Sequence, residues 1–326
     1  MNIDGRTFLI TGGASLIGSH LTRVLLNAGA KSVILLDNLC LGDQKAIASF
    51  PKSSVQFVRG DVLNLSQVVD SVRDADGVFA FAAFMTLPIS KAPSEGVQVN
   101  VMGVLNVLEA ARILGGKKVV LASSIAVYGN GVDGLVEEAR PFASFGSSSA
   151  FATYAATKLV GEQVGRLYTQ KYGIDFSIVR FSTAYGENQH TRGVNALYIL
   201  ESLQAVRSGI PPTILGSGEE AHDYIYATDA ARGAMMAMER GKNGECYNIA
   251  TGVSTSVNEI VDMVLKEYAS PLEPKHLDDT RNARGTAHSR LNISNERARR
   301  ELGWSPETTM REGITRLRKW LEGAPQ

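Results

Sequence analysis

The sequence contains few cysteines and no excess of charge of either sign. Cys40 and Cys246 are the only cysteines among 326 residues, which excludes a disulfide framework and is typical of a reducing compartment. We therefore expect a cytoplasmic protein. The 33 basic and 33 acidic residues cancel, so the composition does not favour binding to nucleic acid or to an anionic membrane.

Long hydrophobic runs and metal-ligand patterns are also missing. No apolar stretch approaches the ~18 residues that span a bilayer, and the first residues lead into a strand without the regions of a signal peptide. The five histidines show no ligand spacing with one another or with the cysteines. We therefore expect no membrane partner, no nucleic-acid partner and no metal site.

Short β-branched runs alternate with amphipathic stretches in the first half of the chain. The predicted strands are 7–11, 32–37, 55–60, 78–82, 118–122 and 176–181, and the predicted helices are 17–28, 65–72, 94–114 and 154–172. Each strand is apolar throughout rather than at alternate positions, which is typical of a parallel sheet covered on both faces. The pattern predicts an α/β fold with a doubly wound parallel sheet of the Rossmann type.

The pattern loosens after Tyr185, where prolines and glycines separate shorter elements. This part is predicted to hold helices at 229–240, 257–268 and 311–321 and a short strand at 246–249. We expect residues 1–180 to form the sheet domain and residues 181–326 to form mostly a smaller C-terminal α/β substrate lobe. A segment at about 223–245 is expected to return to the first domain.

A glycine-rich turn, Thr11–Ser19, connects the first strand to the first helix. Such a turn lets backbone amides and a helix N-terminus face a pyrophosphate, which indicates a dinucleotide site in residues 1–180. Gly12 can make the tight turn, and Gly18 allows the helix to pack closely on the strand. Ser15 stands where a complete Gly-x-x-Gly-x-x-Gly pattern has glycine. Its β-carbon narrows the approach of a phosphate, although its hydroxyl can donate a hydrogen bond.

Asp37 ends the second predicted strand, nineteen residues beyond Gly18. A carboxylate at this place can hold the adenosine ribose 2′-hydroxyl of NAD. The following residues, Asn38-Leu39-Cys40, contain no arginine for a 2′-phosphate, so we predict NAD rather than NADP as the cofactor. Asp61 ends the third strand and is placed to meet the adenine amine. The alternative for both carboxylates is an ordinary aspartate in a turn.

Tyr154 and Lys158 lie one helical turn apart in a predicted helix, so their side chains share a face. A lysine ammonium beside a phenol favours the phenolate, and a phenolate can take the proton of a substrate hydroxyl while hydride leaves the same carbon. Ser124 lies just past the carboxyl end of a predicted strand, where ligands meet such sheets. The three residues suggest hydride chemistry on an alcohol. The alternative for the helical pair is an amphipathic helix with an exposed lysine.

Motifs of this kind follow one another along nearly the whole chain. They are Thr11–Ser19, Asp37–Leu39, Gly60 and Asp61, Ala82 and Ala83, Asn100–Gly103, Asn106–Ala110, Ser123–Gly129, Tyr154 with Lys158, Arg180–Gly186, His222–Tyr226 with Asp229, and Leu302–Trp304. In this order they resemble the extended short-chain dehydrogenase/reductase family. The closest resemblance is to its NAD-dependent epimerase/dehydratase branch, which includes UDP-glucose 4-epimerase-like proteins.

The resemblance implies roles for the reactive side chains. Tyr154 would be the acid/base, Lys158 would lower the pKa of that phenol and bind the nicotinamide ribose, and Ser124 would hydrogen-bond the reacting oxygen. Ala82 and Ala83 would be small because the cofactor passes close to them. The other cofactor-binding residues that the resemblance implies are Leu16, Ile17, Asn38, Val62 and Phe181.

The residues after Ser124 separate the branches of the family. The 4,6-dehydratases carry Thr-Asp-Glu here, because elimination of water needs an extra acid and base. Decarboxylating relatives place a glutamate where Ala126 stands, and relatives that epimerise beside the ketone place a cysteine at Ile125. This chain has Ser124-Ile125-Ala126, which leaves groups that move only a proton and a hydride. That set fits a 4-epimerase and fits a simple dehydrogenase equally well.

The resemblance also implies a set of substrate-binding residues. They are Thr86, Ser124, Thr183, Asn195, His222 and Arg290. The family usually has asparagine where Thr183 stands and arginine where His222 stands, and a nucleotide diphosphate needs such cationic and amide donors. Arg281 and Arg284 are alternatives to Arg290 for a second phosphate contact, and each of the three could instead be a solvated surface charge.

The resemblance implies a homodimer in which the predicted helices 94–114 and 154–172 of each subunit form a four-helix bundle. An apolar stripe on the first helix could serve that bundle or could face the sheet. Its residues are Val97, Val101, Val104, Leu105 and Leu108. Asn100, in the same helix, is expected to hold backbone rather than to touch substrate.

Three functions remain open at this point. The leading hypothesis is an NAD-dependent sugar-nucleotide 4-epimerase that removes hydride, forms a 4-keto intermediate and returns hydride to the other face. The second is an NAD-dependent dehydrogenase of a smaller polyol, sugar acid or other secondary alcohol, which the changes at Thr183 and His222 favour. The third is a dinucleotide-binding regulatory protein without turnover, which the serine at Ser15 favours.

Overall fold

The computed structural model describes residues 1–129, 134–143, 147–189, 197–278 and 291–323. The strands are β1 (Thr7–Thr11), β2 (Ser32–Asp37), β3 (Val55–Arg59), β4 (Gly77–Ala80), β5 (Lys118–Ser124), β6 (Leu135–Val136), β7 (Phe176–Phe181), β8 (Thr183–Tyr185), β9 (Thr213–Leu215), β10 (Ala221–Tyr226), β11 (Cys246–Ile249), β12 (Ser254–Ser256), β13 (Lys275–Leu277) and β14 (Asn292–Ile293). The helices are α1 (Leu16–Asn27), α2 (Leu65–Arg73), α3 (Thr86–Lys91), α4 (Pro93–Gln98), α5 (Val104–Ile113), α6 (Ser149–Tyr172), α7 (Leu197–Arg207), α8 (Ala227–Arg240), α9 (Val257–Glu267) and α10 (Met310–Leu321).

A seven-stranded parallel sheet forms the centre of the protein, in the order β11-β7-β5-β4-β1-β2-β3. The chain builds β2 and β3 on one side of β1 and then crosses to build β4, β5, β7 and β11 on the other. The strand order therefore reverses between β1 and β4, and a crevice for a ligand opens at the carboxyl ends of strands at such a point. The predicted doubly wound sheet is confirmed.

The strands are buried on both faces, as their continuous apolar sequences predict. Phe8 and Ile10 of β1 pack into a core with α1 and α8, where Leu21 and Ala234 belong to the same cluster. Leu9, the residue between them, packs into a second core with α2, α5 and α6. Adjacent side chains on a strand point to opposite faces, so each strand contributes to both cores and the sheet is held between two layers of helices.

The smaller lobe is built on a second sheet in which β10 pairs with β8 in parallel and with β12 in antiparallel orientation. Its core is formed with α7, α9 and α10. The core includes Tyr185, Tyr224, Tyr226, Leu203, Ile260 and Leu317. The predicted strand 246–249 is present, but as β11 it pairs with β7 at the edge of the main sheet. The chain therefore contributes to the main sheet as far as Ile249.

Two predicted helices differ from expectation in their details. The predicted helix 94–114 is a helical run whose two parts, α4 and α5, are joined by a π-helical turn at Val99–Gly103. Helix α6 begins at Ser149, before the predicted start at residue 154, because the Ser148 hydroxyl oxygen accepts a hydrogen bond from the Phe151 amide. A serine at this position satisfies one of the free amides of the first turn.

Neither a disulfide nor a membrane-spanning helix occurs in the part of the chain that the structure describes. Cys40 is exposed and Cys246 is buried, and both thiols are free. None of the described helices has the length and apolar character that crossing a bilayer requires. Within the same residues, no cluster of histidine, cysteine, aspartate or glutamate is arranged to hold a metal ion.

Candidate active site

The glycine turn lies at the carboxyl end of β1, and at Gly12 and Gly18 it leaves no room for a side chain. Gly12 has φ +69°, and a β-carbon on it would lie 2.9 Å from the Ala82 Cα. A β-carbon on Gly18 would lie 2.6 Å from the Gly12 carbonyl oxygen. Ser15 caps α1, since its Oγ accepts a hydrogen bond from the Gly18 amide at 3.2 Å. A hydroxyl that accepts in this way still has its proton to donate, so Ser15 can both cap the helix and approach a phosphate.

Asp37 is held in place by the backbone on both sides of it. Its Oδ2 accepts a hydrogen bond from the Ala14 amide at 3.0 Å, and its Oδ1 accepts one from the Leu39 amide at 2.8 Å. The residue is only 8% exposed. Its neighbour Asn38 donates from Nδ2 to the Asp61 carboxylate at 3.2 Å. The predicted ribose-binding and adenine-binding carboxylates therefore lie at one edge of the sheet, joined through Asn38.

A cleft opens between these residues and the end of β4. The predicted cofactor-binding residues that line it are Gly12, Ser15, Asp37, Asn38, Asp61, Val62, Ala82 and Ala83. Leu16, Ile17 and Gly18 form the first turn of α1 beside it, and Phe181 ends β7 in the adjoining core. A glycine-rich turn, the amides of a helix N-terminus and a buried carboxylate fit the pyrophosphate and adenosine ribose of NAD.

Several residues contribute to the cleft that the sequence did not indicate. Cys40, Gly42 and Phe84 are among its lining residues. A β-carbon on Gly42 would lie 3.0 Å from both carboxylate oxygens of Asp37, so the glycine lets the loop after β2 fold over that carboxylate. A glycine five residues after a strand-end aspartate is the signal that could have predicted this contact. Thr11 accepts hydrogen bonds on Oγ1 from the Phe81 and Ala82 amides.

The reactive side chains meet where the end of β5 lies against α6. Lys158 is buried, and its Nζ donates to the Ala122 carbonyl oxygen at 2.8 Å. The same ammonium lies 5.8 Å from the centre of the Tyr154 ring. Ser124 ends β5, and its Oγ accepts a hydrogen bond from the Ala126 amide at 3.1 Å. The structure thus brings the predicted Ser124, Tyr154 and Lys158 to one place.

Burial has the largest effect on the pKa values of the reactive side chains. Burial raises the pKa of the Tyr154 phenol, and a side-chain hydrogen bond with Ser124 partly opposes that shift. Burial also lowers the pKa of Lys158 to about 8, while the negative charge of Glu162 acts against the shift. Lys158 is not among the groups that shift the pKa of Tyr154 in this structure, so its effect on the pKa of that phenol stays a prediction. Its ammonium binds the Ala122 carbonyl, and loss of solvent dominates at the phenol.

The predicted substrate-binding residues are more dispersed. Thr86 begins α3, and Thr183 begins β8, both with partly buried side chains. His222 lies in β10 with its Nε2 2.8 Å from Glu220 Oε1. Asn195 and Arg290, like Arg281 and Arg284, lie outside the described residues.

Asn100 has the backbone role expected for it. Its Oδ1 accepts a hydrogen bond from the Phe84 amide at 2.7 Å, and its Nδ2 donates to the Phe84 carbonyl at 2.9 Å and to the Thr157 hydroxyl at 3.0 Å. The residue lies in the π-helical turn between α4 and α5 and is 2% exposed. It therefore ties the segment after β4 to helix α6.

Comparison with known proteins gives a consistent result along the chain. The chain is 34% identical to a putative UDP-glucose 4-epimerase of Methanocaldococcus jannaschii, over 96% of this chain and 98% of that protein. A UDP-glucose 4-epimerase of Thermotoga maritima solved with UDP-glucose has a TM-score of 0.86 and 25% identity, and the match covers 97% of this chain and 99% of that one. A dTDP-glucose 4,6-dehydratase of Streptomyces venezuelae with NAD and TYD bound has a TM-score of 0.84 and 27% identity, with 97% of each chain covered.

A family model described as GDP-mannose 4,6 dehydratase matches residues 9–317. That range includes the glycine turn, Asp37, the Ser124, Tyr154 and Lys158 cluster, and most of the smaller lobe. The matched relatives include both epimerases and dehydratases, and several are solved with NAD. The chain therefore belongs to the NAD-dependent epimerase/dehydratase family of the extended short-chain dehydrogenases/reductases.

Proposed function

We propose that the protein is an NAD-dependent sugar-nucleotide 4-epimerase. The observation that carries the proposal is the chemistry of the turn after Ser124, whose next three residues, Ile125 to Val127, are apolar. The residue that ends this turn, Tyr128, is buried and donates its hydroxyl proton to Asn248. Because elimination of water needs an additional acid and base, this arrangement supports hydride transfer without dehydration.

The mechanism assigns one step to each side chain. Tyr154 takes the proton of the substrate hydroxyl and later returns it, while Ser124 donates a hydrogen bond to the reacting oxygen. The Lys158 ammonium stabilises the phenolate and holds the nicotinamide ribose. NAD bound in the cleft would supply the hydride acceptor and donor. Rotation of the ketone before hydride returns would invert the carbon without net oxidation.

The direct test is to incubate the protein with UDP-glucose or UDP-galactose and to analyse the sugars. We expect interconversion of the two without accumulation of NADH. Stoichiometric NADH from a free alcohol, with no interconversion of the nucleotide sugars, would show a dehydrogenase instead.

One observation favours that second candidate, an NAD-dependent dehydrogenase of a smaller alcohol. The His222 imidazole lies 2.8 Å from the Glu220 carboxylate, which places a negative charge beside the side chain that would have to meet a phosphate. A carboxylate there disfavours an anionic ligand. Thr183 likewise offers a hydroxyl in place of an amide. These features leave the proposed Ser124, Tyr154 and Lys158 chemistry intact and affect only the distal part of the substrate.

We predict that Asp37→Asn lowers the affinity for NAD by about 10–100-fold, which corresponds to one hydrogen bond to a charged group. An asparagine has one oxygen for the two backbone amides and turns its own NH₂ against one of them. Calorimetric titration with NAD measures the effect. Asp43→Asn is the matched control, because Asp43 caps the next turn of the same loop through the Lys45 amide. Equal affinities of Asp37→Asn and the unaltered protein would contradict the prediction.

We also propose that the protein forms a homodimer through α5 and α6, which pack side by side. Large apolar side chains stay exposed on this pair of helices and the turn before it. They are Met102, Ile113, Val160, Leu167 and Tyr172. The predicted apolar stripe is divided, because Val104 and Leu108 face the core while Val97 is 39% exposed. Exposed apolar side chains on two neighbouring helices are typical of a protein interface.

Leu167→Asp is expected to convert such a dimer to monomers, because it places a charge at the centre of the apolar face. Leu167 is 54% exposed, so the change has little effect on the fold of one subunit. Sedimentation velocity measures the mass in solution. Ile210→Asp changes an equally exposed residue (57%) beyond α7 and should leave the mass unaltered. A dimer that persists in Leu167→Asp would refute this interface.

A further inference from the structure

A buried ion pair lies directly behind the reactive side chains. Glu162 of α6 is fully buried, and Arg180 of β7 is 5% exposed. The guanidinium donates from Nε to Glu162 Oε1 at 2.8 Å and from Nη2 to Oε2 at 2.6 Å. The Ser123 hydroxyl donates to Oε1 at 2.6 Å. One carboxylate thus connects three neighbouring elements, β5, α6 and β7.

The same carboxylate belongs to the support of the reactive end of β5. Glu162 holds the side chain of Ser123, and Lys158, one helical turn earlier on α6, holds the carbonyl of Ala122. Two side chains on one face of α6 therefore form hydrogen bonds with the two residues that come immediately before Ser124. Because both hydrogen bonds are buried and involve a charged group, they are among the stronger contacts that can fix the end of a strand.

Glu162 also determines the charge around Lys158. Burial lowers the pKa of Lys158 to about 8, and the charge that acts against this shift is that of Glu162. The positive groups that face Glu162 are Arg180 from β7 and Arg166 from α6, whose Nη1 lies 3.6 Å from Oε2. Without the carboxylate, the effect of burial on the pKa of Lys158 would be unopposed.

The remaining titratable groups of this region are arranged around Arg180. Its Nη1 donates to the Tyr128 hydroxyl and to the Glu138 carbonyl oxygen. Burial raises the pKa of Tyr128 and of Cys246, so neither carries a negative charge near neutral pH. The Glu138 carboxylate accepts a hydrogen bond from the Asn248 amide and lies 3.9 Å from Arg297. Glu162 is thus the carboxylate that balances Arg180 directly.

We propose that Glu162 is a positioning residue that fixes the end of β5 and supplies the negative charge that keeps the buried Lys158 ammonium charged. The proposal rests on the proposed function in one respect, the contact of Lys158 with the nicotinamide ribose. It extends the reactive set by a residue that touches neither substrate nor cofactor. Glu162 acts through Lys158 and Ser123.

The test compares two substitutions that break the same ion pair from opposite sides. The quantity measured is the pH at which calorimetric NAD affinity falls as Lys158 loses its proton. Glu162→Gln removes a negative charge beside Lys158, so we expect the pH midpoint to move down by about one unit or more. Arg180→Met removes a positive charge and leaves Glu162 in place, so we expect the midpoint to move up. If the ion pair has only a structural role, the pH midpoint of NAD affinity should stay unchanged or move in the same direction in both variants.

Thermal unfolding and the double substitution are the controls for a loss of stability in the single variants. Breaking one side of a buried ion pair is strongly destabilising, whereas replacing both sides is often tolerated. The double variant Glu162→Gln with Arg180→Met should therefore unfold at a higher temperature than either single variant. The pH midpoint of its NAD affinity should lie between those of the two single variants. If Glu162→Gln does not fold, Arg180→Met decides, since an unchanged midpoint in that variant overturns the proposal. An unaltered midpoint in Lys158→Met would overturn it as well.

The outcome is separable from that of the proposed function. Opposite displacements of the NAD midpoint, together with no interconversion of UDP-glucose and UDP-galactose, would support the role of Glu162 and refute the 4-epimerase with these substrates. Interconversion of the two nucleotide sugars, together with a pH midpoint of NAD affinity that neither variant displaces, would support the 4-epimerase and refute the role of Glu162.

Discussion

Tyr154→Phe is expected to reduce turnover by about 10²–10⁴-fold, the usual contribution of a positioned acid/base. Phenylalanine keeps the ring and its packing but has no proton to accept or return. Because burial raises the pKa of this phenol, its ionisation depends on positive charge nearby, and no described tyrosine on α6 can replace it at the end of β5. NAD affinity should change little, because the ring stays in place.

The measurement is a single-turnover assay with the nucleotide sugars, accompanied by calorimetric titration with NAD. Tyr172→Phe is the matched control, because Tyr172 is on the same helix and 43% exposed. It should retain the full rate. Turnover that survives in Tyr154→Phe would rule out Tyr154 as the acid/base. Turnover in the unaltered protein that disappears in this variant excludes the regulatory protein without catalysis.

Gly18→Ala is expected to lower NAD affinity by about 10–100-fold and to cost about 1–3 kcal/mol of stability, the usual effect of overpacking. The added β-carbon would lie 2.6 Å from the Gly12 carbonyl oxygen and 2.7 Å from that of Gly13. Both neighbours are backbone atoms, so the clash is relieved only if the turn moves away from the start of α1. The amides that would face a pyrophosphate then lose their common direction.

Calorimetric titration with NAD and thermal unfolding measure the two effects of Gly18→Ala. Gly161→Ala provides the control, since its β-carbon would meet Leu121 Cδ2 at 3.4 Å, an ordinary contact. An alanine within a helix is about 1 kcal/mol more favourable than glycine, so this variant should be at least as stable as the unaltered protein. Full NAD affinity in Gly18→Ala would show that the turn does not hold the pyrophosphate.

The parts of the fold that could be predicted from the sequence are those with a local signal. β1 and β2 have the bounds that their apolar runs predict, because a strand buried on both faces needs a continuous apolar sequence. The glycine turn could be predicted because Gly12 and Gly18 lie between a predicted strand and a predicted helix. In the structure, a β-carbon at either position would meet backbone atoms. Tyr154 and Lys158 were recognisable because one helical turn separates them.

Other features depend on residues that are distant along the chain. Ser123 and Glu162 are 39 residues apart, and Glu162 and Arg180 are 18 apart, so no periodicity relates them. The edge position of β11 depends on its pairing with β7, which lies before the whole of the small-lobe sheet. Long-range pairing of this kind has no local sequence signal, which is why the sequence did not indicate that β11 joins the main sheet.

By itself the sequence determined the class of the fold, the order of its elements and the residue types at the reactive site, because these follow from local periodicity and from motifs of fixed spacing. Only the tertiary structure decided the charge states. It buries Lys158 and part of Tyr154, binds the ammonium to Ala122 and places Glu162 against Arg180. Loss of solvent and the charges of neighbouring elements set a pKa, and both arise only when distant segments pack together.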